Sequence, residues 1–150
     1  MNLVVDASVA IKWFVPEIHW EYAARLQGCS DLYAPDFMLL ECSNILIKKV
    51  RRQEISHNDA DEIQQALSCA PLDFYPWQEL LESATLVAHE TYRSVYDCIY
   101  LVLAQQLGGQ MVTADKKFYQ SLEDHPIWSA HLLWIEDVYH ATEEAKKGYD

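Results

Sequence analysis

Short apolar runs bounded by turn residues alternate with helix-length stretches along almost the whole chain. Strands that alternate with helices in this way favour a parallel sheet covered on both faces, because each parallel strand is reached through a crossover helix. Leu3-Val4-Val5 is the first run, and its continuous apolar character suits a strand buried on both sides. Leu32-Tyr33-Ala34, Asp73-Phe74-Tyr75, Met111-Val112-Thr113 and Leu132-Leu133-Trp134-Ile135 are the others. Between them the sequence predicts helices over 7–15, stopped by Pro16, and over 19–27, ended by Gly28. Helices follow over 37–52, capped by Asp36, and over 56–67, capped by Ser56. Two more cover 77–90 and 94–107, the latter closed by Gly108-Gly109, and a short one runs from Asp115 to about 122. The charged stretch 143–150 is expected to be a loose tail.

A chain of 150 residues, half of them hydrophobic, fits one domain with a sizeable core. Cys29, Cys42, Cys69 and Cys98 stand far apart with no C-x-x-C pair. Three of them sit in or beside helical apolar patterns and read as small buried hydrophobes, which excludes a disulfide framework and fits a reducing compartment. No basic start followed by a long apolar stretch is visible, and no apolar run approaches a membrane span, so the expected location is the cytoplasm. The formal charge of −12 opposes a simple nucleic-acid binder and suits a basic partner or bound cations.

In open parallel sheets ligands sit beyond the carboxyl ends of the strands. Asp6 ends the first strand and Asp115 closely follows the fourth. Either could be no more than a helix N-cap, a role that Asp fills well. Glu41 is set among Phe37, Met38, Leu39, Leu40, Cys42 and Ile45, and buried carboxylates are rare unless paired or bound to metal. A polar stripe of Glu41, Asn44 and Lys48 facing water is the alternative. Asp97 follows Ser94 at the spacing of a capping box, yet it starts a largely apolar helix. Four acids at one sheet edge would repel one another, and a divalent cation with oxygen ligands removes that penalty. Such an ion also suits phosphodiester hydrolysis.

These residues resemble a family. Val4-Val5-Asp6-Ala7-Ser8-Val9-Ala10 with Lys12-Trp13-Phe14 and Pro16-Glu17 looks like the start of PIN-domain ribonucleases, and most like the VapC toxins of bacterial toxin–antitoxin pairs. Glu41 with Asn44, Tyr96-Asp97, and Thr113-Ala114-Asp115 with Phe118 follow in the family's order, so that the resemblance spans residues 3 to about 138. The resemblance implies a three-layer α/β/α sandwich with a central parallel sheet. It implies a Mg²⁺- or Mn²⁺-dependent endoribonuclease, and a homodimer restrained by a VapB-type antitoxin whose tail covers the site. By the same resemblance Asp6, Glu41, Asp97 and Asp115 are the catalytic acids, with Asp6, Asp97 and Asp115 as metal ligands. Ser8, Asn44 and Thr113 fall on supporting polar positions.

Lys12, Arg93 and Lys116 lie near these acids in sequence and are candidates to hold an RNA backbone, with Lys117 beside them. Lys48, Lys49, Arg51 and Arg52 close a helix, where basic residues are favoured anyway. Trp13, Phe14 and Trp20 either pack or contribute to a partner surface. The six histidines show no ligand-like spacing. A haloacid-dehalogenase-like phosphatase would want an acid at position 8, where Ser8 stands. A receiver domain would want an Asp at the end of the third strand, where Phe74-Tyr75-Pro76 stands. The non-enzymatic alternative is an interaction module whose acidic pocket binds a basic peptide.

Overall fold

A computed structural model describes residues 1–29 and 31–148, and of Ala145 only the backbone. Among them five strands form one parallel sheet in the order β3-β2-β1-β4-β5. These are β1 (Leu3–Val5), β2 (Leu32–Pro35), β3 (Asp73–Tyr75), β4 (Gln110–Thr113) and β5 (Leu132–Trp134). The helices are α1 (Ala7–Ala10), α2 (Trp20–Leu26), α3 (Met38–Arg51), α4 (His57–Ser68), α5 (Leu81–Thr91), α6 (Val95–Gln106), α7 (Lys116–Leu122) and α8 (Val138–Lys147). The expected α/β architecture is therefore observed.

The chain moves outward from β1 to β3, then returns across the sheet to β4 and β5. That reversal makes the gap between β1 and β4 a topological switch point. Val5 stands opposite Val112, so Asp6 and Thr113 leave the sheet side by side. Leu3, Val4 and Val5 are wholly buried, as their unbroken apolar run requires. α6 crosses β1, β2 and β4, and Cys98 to Ala104 are buried on every side of it. Two glycines end this helix for different reasons. Gly108 takes φ +63°, and Gly109 lets the chain pass so close to Asn2 that a Cβ would fall 2.0 Å from its carbonyl oxygen.

Several local expectations are corrected. Asp36 does not cap α3; Phe37 occupies that position without a side-chain bond, and Asp36 Oδ1 instead accepts from the Trp77 amide. The chain requires this because Asp36 N donates to Tyr75 O, tying the ends of β2 and β3 together. The stretch over 7–15 is one short α-helix continued by a 3-10 turn, Ile11–Trp13, and the stretch over 77–90 likewise opens with a 3-10 turn, Trp77–Leu80. The tail is helical through Lys147, because α8 packs on α2, where the Arg25 guanidinium lies 4.7 Å from the Tyr139 ring centre. Residues 149 and 150 of that expected loose tail lie outside the described residues. Cys42 and Cys98 are buried free thiols, whereas Cys69 is exposed at the end of α4.

Candidate functional site

Asp6 follows β1 and is 7% exposed. Its Oδ1 accepts from Val9 N at 3.0 Å and from Ser8 Oγ at 2.6 Å, so it does cap α1. The Thr113 hydroxyl, at the end of the neighbouring strand, also favours its charged form. Burial nonetheless dominates, lifting its pKa from 3.8 to about 6 against those hydrogen bonds, and the nearby Asp97 adds to the rise.

Asp115 caps α7 through Phe118 N at 3.0 Å, and its own amide donates to Thr113 Oγ1 at 3.1 Å. Thr113 thus bonds to one strand-end aspartate and lies beside the other. Asp97 is half-buried at the start of α6, where its Oδ2 accepts from Ser94 Oγ at 3.0 Å. Its pKa is raised, first by burial and then by Asp115, with Ser94 and Arg93 opposing. Asp6 and Asp115 are thus helix N-caps, whereas the capping box expected at Ser94 and Asp97 is only half formed: Ser94 Oγ accepts from Asp97 N, and the Asp97 carboxylate meets the serine hydroxyl instead of its amide.

Glu41 lies half-buried on α3. Its Oε1 accepts a 2.6 Å hydrogen bond from the Tyr100 hydroxyl. Burial raises its pKa, Tyr100 lowers it, and Asp97 raises it again. Asp97 is thus felt by both Asp6 and Glu41, and itself feels Asp115. Tyr100 was not singled out from sequence. The signal was available, because it stands three residues after Asp97 on the same helix face, and a buried tyrosine needs a partner for its hydroxyl. Phe37 packs on Tyr100 at 5.1 Å between ring centres, joining the starts of α3 and α6.

The four acids are electrostatically coupled, but they do not close into a ligand cage. Among the described residues no three Asp, Glu, His or Cys side chains stand as a group able to hold an ion by themselves. Asp6, Asp97 and Asp115 each spend an oxygen on a serine hydroxyl or a helix amide instead. The donor chemistry still fits a hard cation. Asp6, Glu41 and Asp97 are oxygen donors raised by burial, Asp115 is an exposed carboxylate beside them, and among the described residues Arg93 is the base that offsets the rise at Asp97. Mg²⁺ keeps several waters and needs only one or two carboxylates directly.

Asn44 is exposed on α3, three residues beyond Glu41. Arg93 is half-buried beside Asp97, and Lys116 is exposed next to Asp115. Lys12 departs from its expected role: it is 8% exposed and its ammonium lies 3.2 Å from Glu17 Oε2. Glu17 also pairs with Lys49, so both lysines are held in an internal ion-pair cluster rather than offered to a ligand.

Residues 3–121 match the PIN domain, and the chain belongs to the PIN-domain family. Within it the resemblance is to VapC proteins. The chain is 32% identical over 120 residues to Ribonuclease VapC3 from Pyrobaculum aerophilum, covering 78% of this chain and 92% of that protein. Its fold is similar to the crystal structure of PAE2754 from Pyrobaculum aerophilum, with a TM-score of 0.69 at 18% identity over 92% of this chain and 93% of that one. It is also similar to a chain of a toxin-antitoxin complex from Klebsiella pneumoniae, with a TM-score of 0.63 at 14% identity over 88% of this chain and 96% of that one. No helix among the described residues is long and apolar enough to cross a membrane.

Proposed function

We propose that this chain is a divalent-metal-dependent endoribonuclease and the toxin of a toxin–antitoxin pair. The observation that carries this reading is the row of mutually repelling carboxylates across the switch point, where Asp97 raises the pKa of both Asp6 and Glu41. Likeness to a ribonuclease and to a toxin-antitoxin complex supports it.

Asp6, Asp97 and Asp115 are the residues that would hold Mg²⁺ or Mn²⁺, with water completing the shell. A divalent ion there supplies charge for a phosphoryl oxygen and makes a water more acidic. Ser8 and the Val9 amide hold the Asp6 carboxylate in place. Tyr100 occupies Glu41 Oε1, leaving Oε2 to accept from a water and orient it on the phosphorus. Burial raises the proton affinity of Glu41, so the same oxygen is suited to take that proton. Arg93 and Lys116 contact the RNA backbone, and Asn44 faces it from α3. The formal charge of −12 is answered by the cation and by a VapB-type antitoxin with a basic tail. The toxin is a cytoplasmic homodimer.

Purified protein, free of partner, is incubated with mixed RNA and Mg²⁺ or Mn²⁺ beside Asp6→Asn. Metal-dependent cleavage that the substitution abolishes is expected. Absence of cleavage across many RNAs, together with tight binding of a basic peptide, would point instead to a non-catalytic module.

A further inference from the structure

A cleft of about 480 Å³ opens between α7 and the ends of β4 and β5. Ala114 and Lys116, which flank Asp115, form its inner side, so it adjoins the acidic site. Four of its lining residues come from one stretch: Lys116, Tyr119, Gln120 and Glu123. Their spacing of three, four and seven residues places them on one face of α7 and its continuation. In order they present a cation, an aromatic ring, an amide and a carboxylate. Trp134 packs against Tyr119, 5.6 Å between ring centres, so that the two rings form one aromatic wall.

The remaining wall is held at a conformational cost. His19 lines the cleft with φ +70°, a left-handed conformation that is strained for a residue other than glycine. Its Nε2 lies 2.8 Å from Glu136 Oε1, and its ring meets Trp134 edge-on at 5.6 Å. Lys12 also reaches the cleft but is committed to Glu17, and Glu136 is committed to His19. Lys116 and Glu123 pair with no opposite charge among the described residues.

We propose that this cleft is a subsite for the nucleobase of the RNA nucleotide next to the scissile phosphate. The proposal rests on the nuclease reading for its place beside the reacting phosphate. Lys116 takes the phosphate as it leaves the acidic site, and Tyr119 and Trp134 contact the planar base. Gln120 can donate to and accept from the base edge, while Glu123 accepts from its N–H groups. A cleft of this volume is within the range of small-molecule sites. A basic peptide has acceptors better suited to it in the neighbouring carboxylates than in a cleft whose uncommitted charges are one lysine and one glutamate.

The full chain, purified without partner and kept in EDTA, is titrated with each of the four 5′-mononucleotides and with ribose 5-phosphate, following amide and indole signals by NMR. At least one mononucleotide is expected to shift the Tyr119, Gln120 and Trp134 signals and to bind about fivefold or more tighter than ribose 5-phosphate. Tyr119→Ala, and the exposed Gln120→Ala, are expected to remove that difference. Equal binding of nucleotides and ribose 5-phosphate overturns the subsite, as does a response of these signals to a basic peptide alone. In cleavage assays, Gln120→Ala and Glu123→Gln are expected to change the preference among short RNAs that differ in one base. Unchanged preference overturns the subsite and leaves the nuclease reading standing. If the wild-type protein cuts no RNA, the nuclease reading falls, and the titration, which needs no cleavage, still supports or overturns base binding in the cleft.

Discussion

Asp6→Asn should make the metal-free protein more stable while abolishing its activity. Asp6 is 7% exposed, and burial lifts its pKa from 3.8 to about 6. That rise sets an upper figure of about 3 kcal/mol for the cost of keeping Asp6 ionised at pH 7. Asparagine keeps a carbonyl oxygen for Val9 N and Ser8 Oγ, so the cap of α1 survives. The expected gain is about 1–3 kcal/mol, or roughly 2–4 °C in Tm per kcal/mol for a chain of this size. The native state holds the extra proton between pH 3.8 and about 6, so wild-type stability should fall as pH rises through that window. Asp6→Asn should lack this part of the fall. Urea unfolding in EDTA at several pH values measures both effects. Mg²⁺ or Mn²⁺ should then raise the wild-type Tm more than that of the variant. A variant less stable than wild type at pH 7 in EDTA, or an unchanged gap between pH 4 and 7, would refute the claim that burial dominates at Asp6.

Other perturbations test other parts of the structure. Tyr100→Phe removes the donor to Glu41 Oε1, a bond to a charged group worth about 1.5–3 kcal/mol, and should lower kcat and shift the acid limb of the pH–rate profile upward. Glu17→Gln leaves Lys12 and Lys49, both largely buried, without their shared carboxylate and should cost about 1–3 kcal/mol, read by urea titration. Glu17 has a lowered pKa, so its contribution is complete above the ordinary glutamate value of 4.5 and is lost as pH falls through the lowered one. The variant should therefore show a shallower loss of stability in acid. Gly109→Ala forces a Cβ against the Asn2 carbonyl, the acceptor for Gln110 N at the start of the β1–β4 pairing, and should lower stability by about 1–3 kcal/mol, seen as a lower Tm.

The sheet was legible because β1, β2 and β5 carry short apolar runs and the crossovers are helix-length, while the half-exposed β3 is marked by its flanking Pro71 and Pro76. The short acid-ended run Leu3-Val4-Val5-Asp6 placed one member of the site directly. Asp36 misled because an aspartate before a helix satisfies the capping rule locally, while the structure uses it between β2 and β3. Lys12 misled in the same manner. Proximity in sequence to Asp6 suggested an open rim, but the turn after α1 folds its ammonium onto Glu17. Which partner the Tyr100 hydroxyl finds, and the α7 cleft, depend on which elements face one another, and periodicity within a single element does not supply that.

The capping roles of Asp6 and Asp115 give both carboxylates a defined orientation without a metal cage. Each carboxylate accepts from an amide in the first turn of the helix that follows its own strand, and the Thr113 hydroxyl, which accepts from Asp115 N, stands beside Asp6 at the end of the β1–β4 pair. The fold thus orients the acids before any cation arrives, at the cost of holding Asp6 in the protein with little water around it. A substitution that keeps the cap but removes the charge therefore separates the two roles, whereas Asp6→Ala removes both. Asp6→Ala should give up the cap, worth about 1 kcal/mol, and so end less stable than Asp6→Asn while matching its loss of cleavage. Equal stability of the two variants would show that the cap contributes nothing to holding the strand end in place.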